Sequence, residues 1–168
     1  MPFLLLGPAL GLPSDNRDNY NPKCINMIRE IYPCLWFDGK AKEAAAFYCS
    51  IFPNSRITSE SPIVVNWELN GKQFMGLNDR RPQDHFNETI SFVITCDTQQ
   101  EIDHYWSHLT ADGGTESMCG WCRDKFGVSW QVVPAVLREL MSDPARAPRA
   151  IQAFLKMKKF DIEKLMKA

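Results

Sequence analysis

Between Ile31 and Phe37 (IYPCLWF) the chain is apolar and strand-like, and Asp38-Gly39 closes this run with turn chemistry. Residues 40 to 52 place Ala44, Phe47, Tyr48, Ile51 and Phe52 at helical spacing behind a polar start of Lys40, Lys42 and Glu43. That spacing predicts a helix with one buried face. Pro53-Asn54-Ser55 stops it, after which Arg56 to Thr58 is expected as a short strand and Ile63 to Leu69 (IVVNWEL) as a longer one. Asn70-Gly71 predicts a tight hairpin, because both residues tolerate the positive φ of a type I′ turn, and Lys72 to Asn78 is the return strand. Together these elements make one β-α-β-β-β unit.

After a charged loop from Asp79 to Glu88 the same order returns. Thr89 to Thr95 (TISFVIT) alternates like a strand, Asp97-Thr98 offers a helix cap, and Ile102, Trp106 and Leu109 form one stripe of a helix running to about Ala111. Asp112-Gly113-Gly114 ends that helix. A short strand is expected near Thr115 to Met118, a segment around Trp121 to Arg123 follows it, and Val128 to Val133 (VSWQVV) closes the second unit. Local details recur too: an Asp after each first strand (Asp38, Asp97), an aromatic pair in each helix (Phe47-Tyr48, Tyr105-Trp106) and a Gly before each last strand (Gly71, Gly127). Self-similarity at a spacing of about 60 residues marks a duplication and is too long for a solenoid repeat. The expected architecture is α+β, with residues 27–79 as a first module, 88–134 as a second, and 135–168 as a helical tail of the same domain. In that tail, helices are predicted over Ala135 to Met141, Ala145 to Met157 and Asp161 to Lys167.

The remaining segment, residues 1–26, has no period of either kind and is expected to be a poorly ordered extension, with Met27 as a natural start. Its apolar run, Phe3 to Leu12, is broken by Gly7, Pro8 and Gly11, is too short to span a bilayer, and has no Lys or Arg ahead of it as a secretory signal requires. A chain of 168 residues with 45% hydrophobic content can bury one core. With 19 basic and 20 acidic residues there is no basic field to draw a nucleic acid. The six cysteines are scattered over apolar positions and do not form a disulfide framework, so reduced thiols in a cytoplasmic setting are expected.

Several ordered motifs carry a resemblance: Pro33-Cys-Leu-Trp-Phe-Asp-Gly, Glu43-Ala-Ala-Ala-Phe-Tyr, Phe52-Pro-Asn-Ser-Arg-Ile-Thr and Asn70-Gly-Lys-Gln-Phe-Met-Gly-Leu-Asn in the first module. Ile90-Ser-Phe, Cys119-Gly-Trp-Cys-Arg-Asp-Lys-Phe-Gly-Val-Ser-Trp-Gln-Val-Val-Pro and Met157-Lys-Lys-Phe-Asp-Ile follow. Over residues 28 to 168 the chain resembles the PhnB-like, demethylubiquinone methyltransferase-like branch of the glyoxalase/bleomycin-resistance (vicinal oxygen chelate) superfamily. The resemblance implies paired β-α-β-β-β modules, a U-shaped sheet in each around a cavity, and a homodimer. Family members commonly carry a longer loop between the second and third strands than Ser59 to Pro62 provides, which would reshape one cavity wall. Nothing in the resemblance extends to residues 1–26.

In metal-dependent members of that superfamily four strand side chains hold a divalent ion. The matching positions here are Tyr32, Met75, Thr89 and Gln131, none of them His, Asp or Glu, so no metal or other cofactor is expected. His104 and His108, with Cys119 and Cys122, imitate zinc-ligand spacing, but both histidines fall opposite the apolar helix stripe and should face water. Cys119-Gly-Trp-Cys122 also imitates a redox dithiol, yet it leads into a strand where such a pair needs a helix N-terminus. The methyltransferase label is disfavoured: no Gly-rich turn joins a strand to a helix, and Gly113-Gly114 follows a helix.

What remains is a ligand cavity. Tyr32, Cys34 and Trp36 share one strand face, as do Ser91 and Val93. Met75, Ser129 and Gln131 join them, and the resemblance implies that Cys119 and Trp121 lie at a cavity or strand edge. Trp67, Trp106 and Trp130 are assigned to sheet-helix packing. The resulting expectation is a dimeric small-molecule-binding protein. The rival readings are a metal-recruiting enzyme of lyase, isomerase or dioxygenase type and a purely structural dimerisation module.

Overall fold

The computed structural model describes residues 30–79 and 85–168, so the expected extension over residues 1–26 and part of the charged loop lie outside the described residues. Residues 32–168 form one compact unit. The first module contains β1 (Cys34–Phe37), α1 (Ala41–Ile51), β2 (Arg56–Glu60), β3 (Val64–Leu69) and β4 (Lys72–Asn78). The second contains β5 (Phe92–Cys96), α2 (Gln99–Leu109), β6 (Thr115–Glu116), β7 (Trp121–Arg123) and β8 (Ser129–Pro134). Helices α3 (Val136–Ser142), α4 (Ala147–Phe154) and α5 (Ile162–Lys167) follow. No helix among the described residues is long and apolar enough to cross a membrane.

Each module folds its own four-stranded sheet, in the orders β1-β4-β3-β2 and β5-β8-β7-β6. In both, the first strand runs parallel to the last, while the other neighbours are antiparallel. Identical topology is the structural form of the duplication read from the sequence.

Local chemistry explains where the elements begin and end. The Asn70-Gly71 turn takes the positive φ of both residues, 47° and 76°, and locks the β3–β4 register from Leu69 opposite Lys72. Thr98 caps α2 reciprocally with Glu101, as a capping box. The first strand was expected from Ile31 but starts at Cys34, because Pro33 has no N–H to donate and supplies only its carbonyl, to Met75 N at 3.0 Å. The fifth was expected from Thr89 but starts at Phe92. Asn87 Oδ1 binds both the backbone N and the hydroxyl of Thr89, and this local turn competes with strand pairing.

The two modules share one core. Small residues Ala41, Ala44 and Ala45 bring α1 close to its sheet, and Gly76 on β4 makes that approach possible: a Cβ there would lie 2.9 Å from both Ala41 Cβ and the Trp67 ring. Trp67, Trp106 and Trp130 are all buried, as the packing assignment requires. Tyr48 of α1 packs its ring against Trp67 of its own module at 6.2 Å and Trp130 of the other at 5.5 Å. The tail is anchored by Met157 and Lys158, whose carbonyls accept the Cys119 and Gly120 amides at 2.7 Å each. Phe160 then covers Gly120, where φ is +79°.

Candidate functional site

Strand alternation separates an inner face, packed into the shared core, from an outer face on each sheet. On β1, Leu35 and Phe37 are buried, whereas Cys34 and Trp36 are exposed. Residues directly opposite across neighbouring strands share a face. Cys34, Met75 and Asn66 therefore form one outer row across β1, β4 and β3. On the second sheet Val93, Gln131 and Trp121 form the equivalent row across β5, β8 and β7. Strand for strand, the duplication maps Cys34 onto Val93, Met75 onto Gln131 and Asn66 onto Trp121.

Six of the nine expected cavity residues thus lie on these outer faces or beside them: Cys34, Trp36, Met75, Ser91, Trp121 and Gln131. Gln131 Nε2 donates to Ser91 Oγ at 2.8 Å, which fixes the amide over the sheet. The other three are placed differently. Tyr32 precedes β1 and is exposed. Ser129 shares the parity of Gln131 but is buried, with its hydroxyl 3.4 Å from the Asn87 carbonyl. Cys119, at φ +58°, takes part in docking the tail, with Sγ 3.8 Å from the Phe154 carbonyl. Cys34 and Ser129 do share a cavity of about 210 Å³ under the 85–90 segment. Trp36 at 40% and Val93 at 59% relative exposure leave the rows open to solvent in a single chain.

The chemistry of the rows is soft and neutral. Tyr32, Met75, Thr89 and Gln131 supply a phenol, a thioether, a hydroxyl and an amide, with Thr89 bound to Asn87 and Gln131 to Ser91. This donor set does not fit a divalent cation, which asks for imidazole or carboxylate at such positions. Among the described residues no group of three or more His, Cys, Asp and Glu could hold a metal ion. His104 and His108 are exposed on α2, as the helical wheel predicts, although His104 Nε2 also reaches the Ile51 carbonyl at 3.0 Å. Cys122 is buried and its thiol is pushed up to about 12, first by burial and then by Asp124 and Glu116. A redox dithiol needs the opposite shift.

One group went unnoticed in the sequence. Asp124, in the turn before β8, is buried at 2% exposure and accepts four hydrogen bonds. Tyr48 Oη and Trp130 Nε1 donate to Oδ2 at 2.8 Å each, and the Phe126 and Val128 amides donate to Oδ1 at 2.9 and 3.1 Å. Burial raises its carboxyl above the ordinary value against the pull of these donors, and burial first, then the Asp124 carboxylate, holds the Tyr48 phenol far up. Asp124 ties α1 of one module to β8 of the other. The only local signal was an Asp three residues before a Gly in a turn leading to a strand.

Comparison with known proteins agrees with this architecture. The family model for 3-demethylubiquinone-9 3-methyltransferase matches residues 29–133. Among solved structures, a PhnB protein from Bacillus cereus is 32% identical, with 64% of this chain and 100% of that chain covered and a TM-score of 0.58. Protein PA1353 from Pseudomonas aeruginosa is 20% identical, with 62% and 96% covered and a TM-score of 0.52. The fosfomycin resistance protein FosX from Listeria monocytogenes, determined with Mn(II) and sulfate, is 15% identical, with 69% and 98% covered and a TM-score of 0.52. These last two share the fold alone. No curated protein matches the chain. Two modules of identical topology and a family match over residues 29–133 lead to one conclusion: the chain belongs to the PhnB-like 3-demethylubiquinone-9 3-methyltransferase-like family of the glyoxalase/bleomycin-resistance fold.

Proposed function

We propose that this protein binds a small aromatic or amphipathic molecule in a metal-free cavity, and that it does so as a cytoplasmic homodimer whose second copy covers the outer sheet faces. The observation that carries the reading is the pair of equivalent outer rows, with Trp36 exposed at 40% on the first sheet and Val93 at 59% on the second, opposite Gln131, whose amide is fixed on Ser91. Apolar strand surface with a few oriented hydrogen-bonding groups is the usual composition of a small-ligand wall. Soft, neutral side chains at the ligand positions favour binding over metal-assisted catalysis. Methyl transfer, the activity in the family's name, has no support: among the described residues Gly113-Gly114 follows α2 and no Gly-rich turn leads from a strand into a helix.

Sedimentation velocity combined with a thermal-shift screen of aromatic metabolites and drugs tests this reading. A dimer is expected, with hits that lose affinity in both Trp36→Ala and Gln131→Ala. Hits indifferent to both substitutions, or stoichiometric nickel, zinc or manganese retained by the purified protein, would remove it.

A further inference from the structure

A second concavity lies away from the outer row of the first sheet, at the junction of the two modules. It has a volume of about 350 Å³ and is walled by the end of α1, the β3–β4 hairpin and the β5 edge. A continuous run of five rings lines it. Tyr105 stacks on Phe52 at 5.1 Å, Phe52 on Trp130 at 5.4 Å, Trp130 meets Phe92 at 5.3 Å, and Phe92 meets Phe74 at 5.3 Å. Phe52 and Phe74 come from the first module and the other three from the second, so the groove exists only because the modules pack together. Trp130 is buried, but the other four rings keep part of their surface open. A junction built for packing alone would close over such surface, since exposed apolar patches are costly.

The polar groups at this groove have one sign. Among the described residues Lys72, on the hairpin and lining the groove, makes no side-chain hydrogen bond or ion pair, and the Tyr105 hydroxyl has no hydrogen-bond partner. No Asp or Glu is among the residues that line it. Glu101, near Tyr105, is occupied in capping α2 through the Asp97 and Thr98 amides. Burial raises the Tyr105 phenol, so its hydroxyl remains a donor at neutral pH.

We infer that this inter-module groove is a second binding site, for a flat one- or two-ring aromatic carboxylate whose rings lie on the Phe52–Trp130–Phe92 surface and whose anion is met by Lys72 and the Tyr105 hydroxyl. Aromatic rings favour offset-stacked or edge-on partners, and the compact ammonium of Lys72 suits a carboxylate at an open rim. The site is independent of the proposed outer-face cavity: Trp36, Met75, Trp121 and Gln131 do not line it, and Val93 at the β5 edge is common to both.

Isothermal titration of the full chain with 2-naphthoate, and with the neutral 2-naphthamide as its partner probe, tests the assignment. One 2-naphthoate per chain is expected, with affinity falling about tenfold in Lys72→Gln and a few-fold in Tyr105→Phe, as for loss of charge-assisted and neutral hydrogen bonds. Trp36→Ala should leave it unchanged. The amide should bind about tenfold more weakly than the carboxylate and be indifferent to Lys72→Gln. No saturable binding up to millimolar 2-naphthoate would overturn the site. Equal binding of acid and amide would overturn the anion preference, and binding lost in Trp36→Ala but kept in Lys72→Gln would assign the molecule to the sheet face instead.

Discussion

Replacing Asp124 by Asn keeps the shape of the side chain and turns one acceptor oxygen into a donor. All four neighbours donate to that carboxylate, so the new amide must face two of them. If its nitrogen takes the Oδ1 position, the Phe126 and Val128 amides are both stranded. If it takes the Oδ2 position, the Tyr48 hydroxyl can rotate and accept, but the Trp130 indole N–H, a donor only, cannot. The second arrangement is the cheaper one. It costs roughly 1–3 kcal/mol for a stranded buried donor, plus about 0.5–1 kcal/mol for each remaining bond that loses its charged acceptor. Removing a buried charge returns part of this. The expected net loss is about 2–3 kcal/mol, read by urea unfolding at pH 7 as a lower midpoint with an unchanged slope. Trp130→Phe removes the stranded donor, so the double variant should lose at least about 1 kcal/mol less than the sum of the singles. Because burial raises the Asp124 carboxyl, its stabilising contribution is full below the unfolded value near ~4 and declines as pH rises through the folded value. The non-titrating Asn variant should therefore trail the parent by more at pH 4 than at pH 7. An Asn variant within about 0.5 kcal/mol of the parent, or more stable, would refute the claim that these four buried donors require an all-acceptor side chain at position 124.

Other substitutions probe separate parts of the fold. Gly120→Ala would set a Cβ 2.4 Å from the Phe160 ring and 2.7 Å from the Val132 carbonyl at a positive φ, so a loss of about 3 kcal/mol and faster proteolysis of the C-terminal tail are expected. Gly76→Ala, 2.9 Å from Ala41 and Trp67, should cost about 1–3 kcal/mol by overpacking in the same unfolding assay. Gly71→Ala meets nothing within 4 Å but sits at φ +76°, so about 1 kcal/mol is expected there, from backbone strain alone. In mass-mapped maleimide labelling of the native protein, buried Cys96 and Cys122, both pushed up to about 12, should stay unmodified until denaturant is added.

The parts of this molecule legible in its sequence are those governed by local rules. Asn70-Gly71, the Thr98–Glu101 cap and the Ile102–Trp106–Leu109 stripe each state their own structure, and the repeated order of elements states the duplication. Parity on β1 and β8 correctly separated Trp36 and Gln131 from the core. What could not be read depends on contacts with no local period. The Tyr48–Asp124 bond joins residues 76 positions apart, and Ser129 is buried with its hydroxyl against the Asn87 carbonyl, 42 positions earlier. The family resemblance put Cys119 at a cavity or strand edge, yet its positive φ and the Met157 carbonyl turn it toward the tail.

Consecutive residues on β4 and β8 divide the two candidate sites between them. On β4, Phe74 lines the inter-module groove and Met75 the outer row; on β8, Trp130 and Gln131 divide in the same way; on β5, at the sheet edge, Phe92 lines the groove and Val93 reaches both surfaces. Alternation with period two makes this unavoidable once the inner faces of two modules are pressed together, because every ring that builds the junction leaves its neighbour on the opposite face. One backbone thus supports both surfaces, while the residues that define each, Val93 apart, are distinct. Lys72 and Tyr105 belong to the groove, and Trp36 and Trp121 to the outer faces. Single substitutions can silence one surface and leave the strand pairing of the other in place, so binding to the two can be measured separately in one protein.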